Sequence, residues 1–226
     1  MIKKATLAFL RDLARHNDRD WFAEHKPRYE AARKNVGAYA GAVLGELSKS
    51  DVLSTESGKR SLFRIYRDVR FSKNKLPYKT NLGGSFTRDG RLRRGGYYFS
   101  IQPGGESVVG GGFYGIERDD LKRIREELAR DGSEYRAIVA DPAFIETFGE
   151  MQGERLKTAP SGYPRDHPNI DLLQPKQFYA VRTFSDAEVQ RADFVEQSVA
   201  ALLALRPFFD YFSEVLTTDG NGEVVG

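Results

Sequence analysis

The sequence predicts an α+β fold in which an antiparallel sheet packs with helices from both the N-terminal and the C-terminal regions. Three observations lead there. The first fifty residues carry apolar side chains at helical spacing, the stretch from about residue 62 to 113 changes to an alternation of two with glycine-rich turns, and helical spacing returns after residue 119. Strands grouped in the middle, with helices grouped on either side, point away from a regularly alternating parallel sheet.

The elements follow in order. Leu7, Leu10, Leu13 and Ala14 form one helical stripe behind Thr6, and His16-Asn17 ends it. Trp21 and Phe22 open a second helix, which Pro27 kinks or restarts at a first-turn position. Beyond it Tyr29, Val36, Tyr39, Val43, Leu44 and Leu47 form an apolar stripe. Gly37, Gly41 and Gly45 on the same helix weaken it but let another backbone come close. A strand is expected over Leu62–Phe71, with Phe63, Ile65, Arg67, Val69 and Phe71 on one face. A hairpin is expected from Gly96–Gln102 and Glu106–Phe113 around Pro103-Gly104-Gly105. Helices are expected over Asp119–Arg130, Ser133–Ala140 and a short stretch after Pro142.

Residues 152–176, with four prolines, read as an ordered loop. A strand over Gln177–Phe184 precedes the clearest local signal. Ser185 and Glu188 have capping-box spacing, and Phe184 and Val189 have the spacing of a hydrophobic staple. A long helix to about Leu205 and a final helix from Pro207 to about Leu216 are expected. The whole reads as a single domain over residues 1–216, followed by a flexible tail, 217–226.

Composition narrows the chemistry. The 226 residues include no cysteine, so disulfides, thiolate nucleophiles and Cys-ligated zinc are excluded, and a reducing cytoplasm is the expected compartment. The longest apolar run, Val199–Leu205, is far short of the ~20 residues a membrane-spanning helix needs. The formal net charge is +3, but it is unevenly spread: Lys59 to Arg94 holds twelve cations and two anions, whereas the rest holds 23 cations and 30 anions. A basic island on an acidic body favours an anionic partner held at one place.

Within the island runs Arg64-Ile-Tyr-Arg67-Asp68-Val-Arg70-Phe71-Ser-Lys-Asn74-Lys75-Leu-Pro77-Tyr78-Lys79-Thr80-Asn81. It resembles the signature of a bacterial family catalogued as domain of unknown function 2461, with an Arg-Asp-x-Arg-Phe core. Trp21-Phe22, Gly96-Tyr97-Tyr98, Gly110-Gly111-Gly112 and the stretches Leu156-Lys157 and His167-Pro168 extend the resemblance over roughly Thr6 to Leu216. It implies no activity, substrate or cofactor.

The residues themselves leave three readings open. Arg64, Arg67, Arg70, Lys75, Tyr78 and Lys79 offer donors, most of them charge-assisted, suited to a small phosphorylated or carboxylated ligand, with Asp68 holding one arginine while another faces the ligand. Alternatively, Asp68 or a distant carboxylate satisfies Arg67 in an ion pair that only holds the fold together. A third use of the same island, with Arg88, Arg91, Arg93 and Arg94 as backbone contacts, is nucleic-acid binding.

No nucleophile elbow, paired phosphate-binding loop or zinc-protease helix appears, so catalytic residues are not assigned. His16, His25 and His167 lack metal-ligand spacing, and no metal or cofactor is implied. His167 is a minor candidate for acid–base work, because loops often carry function. The Gly110–Gly112 run reads as close chain packing before a ligand wall. Oligomeric state is not encoded in any pattern found.

Overall fold

The computed structural model describes residues 1–90, 93–218 and 223–224. Its helices are α1 (Lys4–Arg15), α2 (Arg19–Glu24), α3 (Lys26–Leu47), α4 (Gly58–Ser61), α5 (Arg118–Arg130), α6 (Ser133–Val139), α7 (Pro142–Phe148), α8 (Ile170–Leu173), α9 (Phe194–Leu203) and α10 (Arg206–Thr217). Its strands are β1 (Leu82–Thr87), β2 (Gly96–Ile101), β3 (Ser107–Phe113) and β4 (Phe178–Phe184), which form one antiparallel sheet in the order β1-β2-β3-β4. The α+β class expected from the sequence is present. Among the described residues no helix is long and apolar enough to cross a membrane.

The chain divides into two compact units. The first comprises Met1–Thr87, Tyr98–Val109 and Thr183–Ala200. Here α1 packs on α3 through Leu7, Leu10 and Leu13, which are fully buried along with Val36, Ala40 and Leu47. Burying each of these leucine and valine side chains contributes about 1.5–3 kcal/mol before entropy is counted. Pro27 sits in the first turn of α3, where its missing N–H costs nothing. The close approach to α3 depends on Gly58, because a Cβ on Gly37 would meet nothing nearer than 3.7 Å and one on Gly41 or Gly45 nothing within 4 Å. A Cβ on Gly58 of α4 would fall 2.2 Å from the Gly41 nitrogen and 2.4 Å from the Gly37 carbonyl oxygen. The Tyr39 hydroxyl donates to Ser198 at 2.8 Å, and Ser198 donates to the Phe194 carbonyl at 2.7 Å, so a buried polar pair is satisfied.

Ser185 and Glu188 do form the reciprocal capping box: the Ser185 amide donates to Glu188 at 2.7 Å and the Glu188 amide to the Ser185 hydroxyl at 3.2 Å. It opens a single 3₁₀ turn, Glu188–Gln190, and the helix starts only at Phe194. The long helix expected from Ser185 is therefore corrected: Arg191 is extended, and its guanidinium is turned onto Asp193 by hydrogen bonds of 2.8 and 3.0 Å.

The second unit comprises Arg88–Tyr97, Gly110–Arg182 and Ala201–Gly226. Its core is aromatic. Phe212 of α10 stacks on Tyr135 at 5.7 Å and meets Phe178 edge-on at 5.1 Å, and Phe113 lies edge-on to Phe208 at 5.6 Å. The loop over residues 152–176 is ordered by backbone pairing, Gln152 with Tyr179 and Leu156 with Gln174, and it contains α8. Arg125 fastens its far end by donating to the carbonyls of Leu173 and Pro175 at 2.8 and 3.1 Å. Of the expected tail, Thr217 closes α10 and Thr218 pairs with Val224, while residues 219–222 and 225–226 lie outside the described residues.

Candidate functional site

The signature segment is not the continuous strand expected over Leu62–Phe71. Residues 62–67 run antiparallel to residues 77–84 through isolated pairings: the Phe63 amide donates to Gly83 at 2.9 Å, Lys79 to Ile65 at 2.8 Å and Arg67 to Pro77 at 2.9 Å. Pro77 accepts from Arg67 but has no N–H to return, so the ladder stops there. The chain beyond Arg67 leaves as a loop, and the Asn74 side chain turns it by accepting from the Leu76 amide at 3.0 Å. Phe71, expected on the buried face, is 96% exposed, whereas Ile65 is buried.

Asn17 fixes the base of this loop. Its side-chain oxygen accepts from the Tyr78 amide and its NH₂ donates to the Tyr78 carbonyl, both at 3.0 Å. The Tyr78 ring lies flat against Phe22 of α2 at 4.1 Å and tilted to Tyr66 at 5.4 Å. Tyr78 is thus buried, and burial pushes its phenol up from its ordinary pKa. This two-point clamp brings the turn before α2 alongside the loop.

The resulting cleft, of about 660 Å³, is lined by Asn17, Asp18, Arg19, Val69 and residues 73–77. Arg19, Lys73 and Lys75 supply three positive charges to it. Asp18 supplies one negative charge and also caps α2 by accepting from the Trp21 amide at 2.9 Å. Neither Arg19 nor Lys73 makes an ion pair among the described residues. Lys75 ties the loop together by donating to the Val69 carbonyl at 2.8 Å and, weakly, to that of Arg70 at 3.5 Å.

The other sequence candidates do not line this cleft. Asp68 holds Arg70 in a two-pronged pair, with bonds of 3.0 and 2.7 Å from the guanidinium and one of 3.2 Å from the Arg70 amide. That pairing, chiefly the Arg70 guanidinium, sets the Asp68 carboxyl below its usual pKa. Arg64 acts on the Asp68 carboxylate without forming an ion pair, and Arg67 makes no ion pair among the described residues. The pairing of Arg67 with Asp68 considered from the sequence is thus corrected to Arg70 with Asp68, and Lys79 lies over the Phe63 ring at 5.5 Å. Of the seven candidates, the cleft gathers only Lys75. Lys73 was visible as part of the island, but nothing in local spacing marks Arg19, because the contact that recruits it spans 61 positions.

The second half of the island behaves differently. Arg88 is 4% exposed, pairs with Asp210, donates to the Arg94 carbonyl at 3.1 Å and lies over the Phe209 ring at 5.5 Å. Arg94 pairs with Asp120. Arg93 donates to the Asp89 carbonyl at 3.2 Å, and Arg91 lies outside the described residues. Arg88 and Arg94 are therefore not the free backbone contacts expected from composition, since each is taken up by a carboxylate of its own unit.

Gly110 and Gly112 are required by packing. A Cβ on Gly110 would lie 2.1 Å from the Ala180 carbonyl oxygen, and one on Gly112 would lie 2.3 Å from that of Phe178. His25 stacks on Trp21 at 4.1 Å, and His167 accepts from the Asn169 amide at 3.1 Å. No cluster of acidic or imidazole side chains suited to a metal ion exists among the described residues.

A family model described as conserved hypothetical protein (DUF2461) matches residues 5–211. Neither a curated protein nor a solved structure matches the chain. The chain belongs to the family of conserved hypothetical proteins known as domain of unknown function 2461.

Proposed function

We propose that this family member binds a phosphate-bearing anion in the cleft between Asn17–Arg19 and the loop 69–77. The observation that carries this reading is the meeting of Arg19, Lys73 and Lys75 around one solvent-reachable volume with a single carboxylate, Asp18, among them. Arginine offers a planar fork for phosphate oxygens and lysine adds mobile point charge. The Asn17 clamp and the Lys75 strap hold the backbone in place beforehand, which lowers the ordering cost of binding. Arg64, Arg67 and Lys79, outside the cleft, raise the local potential and speed encounter.

Inorganic pyrophosphate and ATP are the probes. Each raises the melting temperature of the natural chain, by an amount that follows the ligand concentration over its dissociation constant. The double variant R19Q/K73Q loses that rise, whereas R64Q/R67Q retains most of it. A chain stabilised by neither probe contradicts the proposal.

A second reading, single-stranded nucleic acid, is favoured by the rings beside the cations: Phe71 is 96%, Tyr66 55% and Phe63 42% exposed. Exposed rings can stack on bases while the cations follow the backbone. Under this reading affinity rises with oligonucleotide length and falls steeply with salt, and Phe71→Ala weakens it, whereas ATP binds no better than pyrophosphate.

A further inference from the structure

The second unit contains a cleft of its own, of about 470 Å³, within the range of small-molecule pockets. Ile145, Met151, Leu172 and Phe178 give it an apolar wall, and Tyr135, Arg136, Arg155 and Asp171 give it a polar end. The charges at that end are unequally engaged. Arg136 is committed to Asp171 through bonds of 2.9 and 2.7 Å, with a further bond of 3.3 Å to Asn169. Arg155 uses one nitrogen, donating to the Asp171 carbonyl, and its remaining N–H groups have no partner among the described residues.

Tyr135 adds an independent sign. The residue is only 3% exposed, yet its hydroxyl makes no hydrogen bond to any described residue. The hydroxyl itself is not sealed from solvent, so it is open to a ligand in the cleft. Burial pushes its ionisation well up, and Arg155, Asp171 and Arg136 are among the charges that act on it, so at neutral pH the phenol is a proton donor beside a guanidinium. Donors without acceptors at one end, and hydrocarbon along the wall, define a complementary ligand. The remaining lining carboxylate, Glu150, belongs to an exposed residue whose charge water screens.

We infer that this cleft binds a small amphipathic monocarboxylate, with its carboxylate on the Arg155 guanidinium and the Tyr135 hydroxyl and its chain against Ile145, Met151, Leu172 and Phe178. The inference is independent of the anion site in the first unit. The chain has two methionines, and Met151 alone lines the cleft, so methyl-labelled methionine gives one reporter signal there and an internal control at Met1.

Octanoate, with octanol as the uncharged match, is the probe. Octanoate shifts the Met151 methyl resonance saturably and leaves Met1 in place, and octanol binds at least about tenfold more weakly, as expected when a charge-assisted contact is lost. R155Q lowers octanoate affinity by a similar factor, and Y135F by a few-fold. An unmoved Met151 signal, equal affinity for octanol and octanoate, or undiminished binding by R155Q each overturns the inference. The comparison of the two probes is made on the natural chain and does not depend on any variant folding.

Discussion

Two stretches of one basic island, residues 59–79 and residues 88–94, look alike in composition and end in opposite environments. Arg88 is buried, and both Arg88 and Arg94 are paired, with Asp210 and Asp120. Among the described residues Arg64, Arg67 and Lys73 make no ion pair, whereas Arg70 pairs with the Asp68 two positions away and Arg60 with Glu56 four positions away. A count of charges therefore says little about function. What separates a structural cation from an available one is whether a carboxylate from a distant part of the chain reaches it, together with how far the cation is withdrawn from water.

The sharpest way to break the comparison is Arg88→Ala. It removes a buried guanidinium with three kinds of partner and is expected to cost about 2–4 kcal/mol in denaturant unfolding, while pyrophosphate binding per folded molecule stays unchanged. Lost binding in a folded R88A chain would place Arg88 with the functional cations.

Gly58→Ala tests the scaffold beneath the exposed half. The new methyl would meet the α3 backbone at 2.2 Å, and backbone cannot turn aside, so a loss of about 1–3 kcal/mol is expected. An unchanged denaturation midpoint would show that α4 is free to move away from α3.

These outcomes also bear on what the sequence could reveal. Helices α1, α3, α5 and α10 were legible because their apolar residues repeat at helical spacing. Strand β1 was not, because Gly83 and Gly84 carry no side chains to alternate. A Cβ on Gly84 would sit 2.5 Å from the Ser61 carbonyl oxygen, so the glycines answer to a neighbour distant in sequence. The Ser185–Glu188 box was read correctly as a cap, but its geometry is satisfied equally by a 3₁₀ turn, and local spacing cannot choose between them. At the candidate site the loop cations were visible, and Asp68 was rightly seen as a partner for an arginine. Arg19 was invisible, because only the Asn17–Tyr78 clamp brings it there.

A finer test lies at Asp68. Because Arg70 lowers the Asp68 pKa, the pair is fully formed above the ordinary carboxylate value of about 3.9 and is lost only as pH falls through the depressed one. Between pH 5 and 8 it therefore adds no pH dependence to binding or stability. Asp68→Asn frees Arg70 at every pH and should strengthen pyrophosphate binding by about two- to threefold at low salt, with the gain fading as salt screens it. Weaker binding by D68N in calorimetric titration would mean that the paired arrangement is itself what the ligand recognises.

The most direct measurement of the central claim is a titration of ¹⁵N-labelled chain with inorganic pyrophosphate, following the backbone amides. The account predicts saturable shifts at residues 17–19 and 69–76, with residues 88–90 and 93–94 unmoved. Shifts that never saturate, or that are as large around Arg88 and Arg94 as in the loop, would contradict it.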